Sequence, residues 1–157
     1  MRHSFWLIPN LLAGRPGPNR EPWHLASLQT QGVRAVLSVN DGECCHADEF
    51  KQWGIDYLCS PLSANAPPEP GDLEHCLAAL PRAHEFIASH VQAGHLALVH
   101  CNSGKDRTAL QLAYYLMREH GCAVESAIAR VKAVRPIAFT ATGWDSFAYR
   151  VLAESAT

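Results

Sequence analysis

The chain has 157 residues, of which 48% are apolar, and a formal net charge of −2. That length and apolar content fit one domain, residues 1–157, around one sizeable core. The near-neutral charge excludes a global positive field that would gather nucleic acid or an anionic membrane, so any anion site must be local.

Phe5–Ile8, after Met1–Ser4, reads as a first strand. Its likeness to the start of a secretion signal ends at Pro9 and Asn10, which break the apolar run. No run approaches the 18 or more apolar residues that a membrane-spanning helix needs, so the expectation is a soluble protein without integral membrane association. The six cysteines, Cys44, Cys45, Cys59, Cys76, Cys101 and Cys122, read as reduced thiols of a cytoplasmic protein.

Gly14-Arg15-Pro16-Gly17-Pro18 predicts a loop. A helix follows from Pro22 to Thr30, ending at Gly32. Val33–Val39 has the composition of a buried strand, His46–Trp53 of a short helix closed by Gly54, and Ile55–Leu58 of a third strand. Pro61 to Gly71, with four of the ten prolines, is the longest stretch without periodicity, and loops of this kind commonly serve as lids or binding loops.

Asp72 is placed to cap the next helix, whose Leu73, Leu77, Leu80, Phe86, Ile87 and Val91 form an apolar set. Pro81 predicts a kink or a split in it. Gly94 ends that helix, and His95–His100 reads as a strand buried on both faces. Helices over Thr108–His120 and Val124–Val134 come next. Thr142-Gly143-Trp144-Asp145 opens the last helix as a capping box, with Asp in place of Glu. The alternation predicts an α/β fold, a central mostly parallel sheet flanked by helices.

The chemistry concentrates in Val99-His100-Cys101-Asn102-Ser103-Gly104-Lys105-Asp106-Arg107-Thr108, where a buried strand ends in a cysteine and a helix begins beside an arginine. Such a turn aims successive N–H groups at one point, and the helix N-terminus adds its own donors and dipole. Two anions suit that place. One is the Cys101 thiolate, the nucleophilic form of the residue. The other is a substrate phosphate, bound by the backbone of Asn102, Ser103, Gly104, Lys105 and Asp106 and gripped bidentately by Arg107. Gly104 lets the backbone turn without a Cβ facing the ligand. The Thr108 hydroxyl is placed to assist departure of the sulfur.

The HCNSGKDRT segment resembles the signature loop of the protein tyrosine phosphatase superfamily, above all its compact dual-specificity-like branch, and the order of elements from Leu7 to Ala153 is similar throughout. The resemblance implies a dual-specificity-phosphatase-like fold and phosphomonoester hydrolysis through a phosphocysteine, without cofactor or metal. It implies phosphorylated protein as substrate, with a phosphoinositide or other polyphosphate as the alternative. His100 then supports the loop by hydrogen bonding.

The branch usually places its acid, an aspartate, shortly after a Pro-hydrophobic pair, and Pro61-Leu62-Ser63-Ala64-Asn65-Ala66-Pro67-Pro68-Glu69-Pro70-Gly71-Asp72 lacks one at that place. Asp106 ranks first as general acid on its resemblance to the lipid phosphatases and lipid-active bacterial enzymes of the superfamily, which carry an Asp just before the signature arginine. Asp72 ranks second because a helix cap explains it, and Glu69 third. A solvated Asp106 at a helix N-terminus remains the plain alternative. Lys105 suits a substrate with more than one phosphate, or is simply exposed.

A phosphate-binding pseudoenzyme is the rival from another class, and sulfur transfer of the rhodanese kind fits the Arg-Thr spacing less well. Cys44-Cys45-His46 and His84-Glu85 lack the partners of a zinc site. Trp6, Trp23, Trp53 and Trp144 read as core or core margin, and Arg130, Lys132 and Arg135 as a solvated helix face. Oligomeric state is not legible.

Overall fold

The structure, a computed structural model, describes residues 1–157 apart from the side chain of Cys44, so the Cys44-Cys45-His46 triplet lies partly outside the described residues. Five strands form one sheet: β1 (Phe5–Ile8), β2 (Leu12–Pro16), β3 (Val33–Ser38), β4 (Asp56–Cys59) and β5 (Leu96–Cys101). Their spatial order is β1-β2-β5-β3-β4, with β1 antiparallel to β2 and the other pairs parallel. β5 is therefore central, flanked on either side by a parallel neighbour. The crevice beyond the carboxyl end of such a strand is where open α/β sheets bind ligands.

The helices are α1 (Leu25–Thr30), α2 (Ala47–Gln52), α3 (Asp72–Gln92), α4 (Arg107–His120), α5 (Val124–Val134) and α6 (Trp144–Ser155). Strand alternation divides the core in two. Ala97, Val99 and Cys101 of β5 face a large cluster that includes Leu80 and Ile87 of α3, Leu112 and Leu116 of α4, Val131 of α5 and Val151 of α6. Leu96 and Leu98 face a smaller cluster with Leu28 of α1 and Phe50 of α2. Each fully buried leucine of the larger cluster contributes about 1.5–3 kcal/mol by leaving water. Every residue of β5 is buried, the burial expected for its apolar run.

Five expectations are corrected. The segment read as a loop from Gly14 contains most of β2, and Pro16 ends that strand in register with Cys101. Only five residues long and nearly all buried, β2 shows no polar–apolar alternation to mark it. α1 begins at Leu25 rather than Pro22, because Trp23 leaves the helical path to pack edge-on against Phe50 and His100.

Pro81 does not split α3. Although proline offers no N–H to the Leu77 carbonyl, the helix runs on from Asp72 to Gln92 with Pro81 inside it. No capping box opens α6: Gly143 precedes it, and no side chain caps it. Trp53, expected near the core, is 39% exposed. Among the described residues, no helix is long and apolar enough to cross a membrane.

Candidate active site

Cys101 closes β5 and is 1% exposed. Thr108, one residue into α4, donates its hydroxyl to Cys101 Sγ at 3.1 Å. Residues 102–106 span the gap between strand and helix. Gly104 has φ of 67°, and a Cβ there would strike the backbone of Arg15 and Pro16, so the turn requires glycine. Among the described residues, no group of the fold accepts the backbone N–H of Ser103, Gly104, Lys105 or Asp106. A run of unengaged donors beside the start of a helix is an anion-binding concavity.

Arg107 is half-buried. Its Nε–H donates to the Ser63 carbonyl at 2.7 Å, and its guanidinium carbon lies 4.6 Å from the centre of the Trp144 ring. One of its five N–H donors is thus committed, and the terminal nitrogens keep the fork that a tetrahedral oxyanion needs. Trp144, fully buried, also donates Nε1–H to the Asn65 carbonyl at 2.8 Å. One indole therefore fastens both Arg107 and the loop 61–71.

Beneath the cysteine runs a chain of donors. Tyr57 Oη donates to Ser38 Oγ at 2.6 Å, Ser38 lies 2.5 Å from His100 Nε2, and His100 Nδ1 lies 3.0 Å from the Cys101 carbonyl. That carbonyl can only accept, so Nδ1 carries the proton and Nε2 accepts from Ser38. Burial holds the imidazole below its ordinary value, keeping it neutral, and burial likewise pushes the Tyr57 phenol up, keeping it a donor.

The two candidate acids occupy different surroundings. Asp72 was placed as a helix cap, yet its carboxylate turns back to accept from the Glu69 N–H at 2.6 Å and from Asn65 Nδ2 at 3.2 and 3.1 Å. The Glu69 N–H, and after it Asn65, holds its pKa below the usual carboxylate range. Asp106 is 1% exposed; Oδ1 accepts from the Ala141 N–H at 3.3 Å, and Oδ2 lies 4.0 Å from Lys105 Nζ. It is not a solvated residue. Glu69, exposed, contributes its N–H to Asp72.

At the rim, Asn102 accepts from Arg20 Nε at 3.1 Å and donates to Asp41 at 2.5 Å. Arg135, expected on a solvated face, is half-buried instead. Its Nε donates to the Gly104 carbonyl at 3.1 Å, its Nη2 to that of Ser103 at 2.8 Å, and its guanidinium carbon lies 5.3 Å from the Phe5 ring centre. Burial pushes its pKa down, against the pull of the Cys101 sulfur. Its place immediately before Pro136, where α5 must stop, was the one sign that it leaves the helix surface. Cys76 is also buried, and burial pushes its thiol up.

Residues 19–145 match the family model described as "Dual specificity phosphatase, catalytic domain". The phosphatidylglycerophosphatase and protein-tyrosine phosphatase 1 of Rattus norvegicus is 28% identical over 111 residues, 67% of this chain and 54% of the relative. The phosphatidylglycerophosphate phosphatase PTPMT1 of Arabidopsis thaliana is 26% identical over 141 residues, 85% of this chain and 38% of the relative. The chain spans about half the length of the first of these curated relatives. Among solved structures, Tk-PTP in its active form superposes with a TM-score of 0.75 at 21% identity, covering 98% of this chain and 96% of that one. PTPMT1 in complex with PI(5)P gives 0.74 at 19%, covering 97% and 96%. At those identities the superpositions show the shared fold alone.

Proposed function

The chain belongs to the dual specificity phosphatase family, and on that premise we propose that it hydrolyses phosphomonoesters with Cys101 as nucleophile. The observation that carries the proposal is Cys101 Sγ, hydrogen-bonded by Thr108 and followed, from Ser103 to Asp106, by four N–H groups that no group among the described residues accepts. In the first step Sγ attacks phosphorus, the P–O ester bond breaks, and the departing oxygen takes a proton. In the second, water attacks the phosphocysteine, the S–P bond breaks and inorganic phosphate leaves. The Thr108 hydroxyl stabilises the released thiolate, while Arg107 and the loop amides hold the equatorial oxygens throughout.

Asp106 is our choice for the proton donor in the first step and acceptor in the second. Asp106 lies next to Arg107 at the end of the phosphate-binding loop, whereas the Asp72 carboxylate is taken up by the Glu69 N–H and Asn65, which hold it in its charged form. The substrate we propose is a phosphorylated protein side chain. A second reading, a phosphoinositide or a phosphatidylglycerophosphate-like lipid, draws on the names of the relatives and on Lys105 beside the loop, a cation suited to a second phosphate. A reducing compartment, the cytoplasm, suits a mechanism that needs free sulfur.

The test is hydrolysis of p-nitrophenyl phosphate with chelator present, followed by panels of phosphopeptides and phospholipids. Cys101→Ser is expected to bring turnover to background; a variant that keeps wild-type activity sinks the proposal. Preference for one panel decides between the two substrates.

A further inference from the structure

The stretch between α5 and α6, together with Trp144 at the start of α6, touches each residue from Ser103 to Arg107. Arg135 donates Nη2–H to the Ser103 carbonyl and Nε–H to the Gly104 carbonyl, at 2.8 and 3.1 Å. The Phe139 N–H donates to the Lys105 carbonyl at 3.4 Å. The Ala141 N–H reaches Asp106 Oδ1, and the Trp144 ring lies against Arg107. Nothing in the sequence of residues 135–144 marks it as part of a site.

Peptide geometry converts these contacts into a consequence for the bowl. A trans peptide is planar, and its C=O and N–H point in opposite directions. A carbonyl of Ser103 held toward Arg135 therefore turns the N–H of Gly104 the other way. The same holds for the Gly104 carbonyl and the Lys105 N–H, and for the Lys105 carbonyl and the Asp106 N–H. These three N–H groups are among the four that no group of the fold accepts. We propose that residues 135–144 form the template that sets the phosphate loop, with Arg135 as its principal positioning residue. Arg135 holds two consecutive carbonyls with one planar fork, a task that a lysine point charge cannot duplicate.

The inference rests on the phosphatase reading, and its test separates the two. Wild type, Arg135→Met, Arg135→Lys and Lys132→Gln, a change at an exposed residue of α5 outside that stretch, are compared for kcat and KM on p-nitrophenyl phosphate. Competitive inhibition by inorganic phosphate and thermal unfolding are measured alongside. Arg135→Met is expected to lower kcat/KM by about 100-fold, the scale of a misplaced binding geometry, and to weaken phosphate inhibition about tenfold, with Lys132→Gln unchanged in both. Arg135→Lys, which keeps the charge and stem above Phe5 and serves if the Met variant does not fold, is expected to recover only part of either loss. An active wild type whose Arg135 variants bind phosphate as tightly as it does overturns the template, as does full rescue by lysine. A wild type that neither hydrolyses the ester nor binds phosphate overturns the phosphatase reading as well.

Discussion

Asn102 to Asp106 and Pro61 to Gly71 are the two loops that meet at Arg107, and they use their polar groups in opposite ways. The first directs carbonyls toward Arg135 and Phe139 and keeps four N–H groups without an internal acceptor. The second turns inward: Asn65 donates to Asp72, the Glu69 N–H donates to Asp72, the Asn65 N–H donates to Ser63 Oγ at 3.1 Å, and the Asn65 carbonyl accepts from Trp144. A loop that satisfies itself is a wall. A loop that leaves donors unmet is a receptor, because those donors gain most from a ligand that accepts them. The long proline-rich stretch that reads as a lid is in this structure the wall.

The largest effect that could break this contrast concerns the acid. Asp106→Asn is expected to lower kcat by about 100- to 10,000-fold on an ester with a poor leaving group, and by much less on p-nitrophenyl phosphate, whose leaving group needs little protonation. Asp72→Asn is expected to leave kcat near wild type on both. Steady-state kinetics with the reverse ranking would return the acid to the proline-rich loop.

Loosening the wall should register as stability rather than chemistry. Asn65→Ala removes the amide that bridges Asp72, and about 1 kcal/mol of unfolding free energy is expected to go with it, read from urea denaturation, with kcat nearly unchanged. A large loss of kcat at constant stability would show that the loop takes part in turnover.

The smallest effect is a pH dependence set by two buried histidines, His100 beneath the bowl and His84 between α3 and α4. Burial holds both His84 and His100 below the ordinary imidazole value. Each binds a proton more readily once unfolded, so its contribution is complete above about pH 6.5 and declines as the pH falls through the window below that value. Melting temperature is expected to fall across that window and to fall less steeply in His84→Gln. Equal slopes in the two proteins would remove His84 from the account.

Much of this was legible in the chain. The apolar run ending in His100-Cys101 fixes a central strand, and Gly104 with Arg107 and Thr108 marks a turn into a helix, because each of those properties is local. β2 was hidden because Gly14 and Pro16, residues typical of turns, lie inside a short strand that is buried along nearly its whole length and shows no alternation. Arg135 and Trp144 were hidden for another reason: their partners lie more than thirty residues away, and helical periodicity reports only which face of its own helix a residue occupies. Asp72 shows the limit of capping rules, since a carboxylate at a helix start can bond backward as well as forward.

Gly17 follows β2 and gives its N–H to the Asn102 carbonyl at 2.9 Å. A Cβ at that position would run into the Cys101 carbonyl and the His100 ring. Even one added methyl group must displace the end of β5, and with it the sulfur. In a survey of random variants, this residue without a side chain would score among the inactivating positions, and a map of such positions would outline a site wider than the groups that touch the substrate.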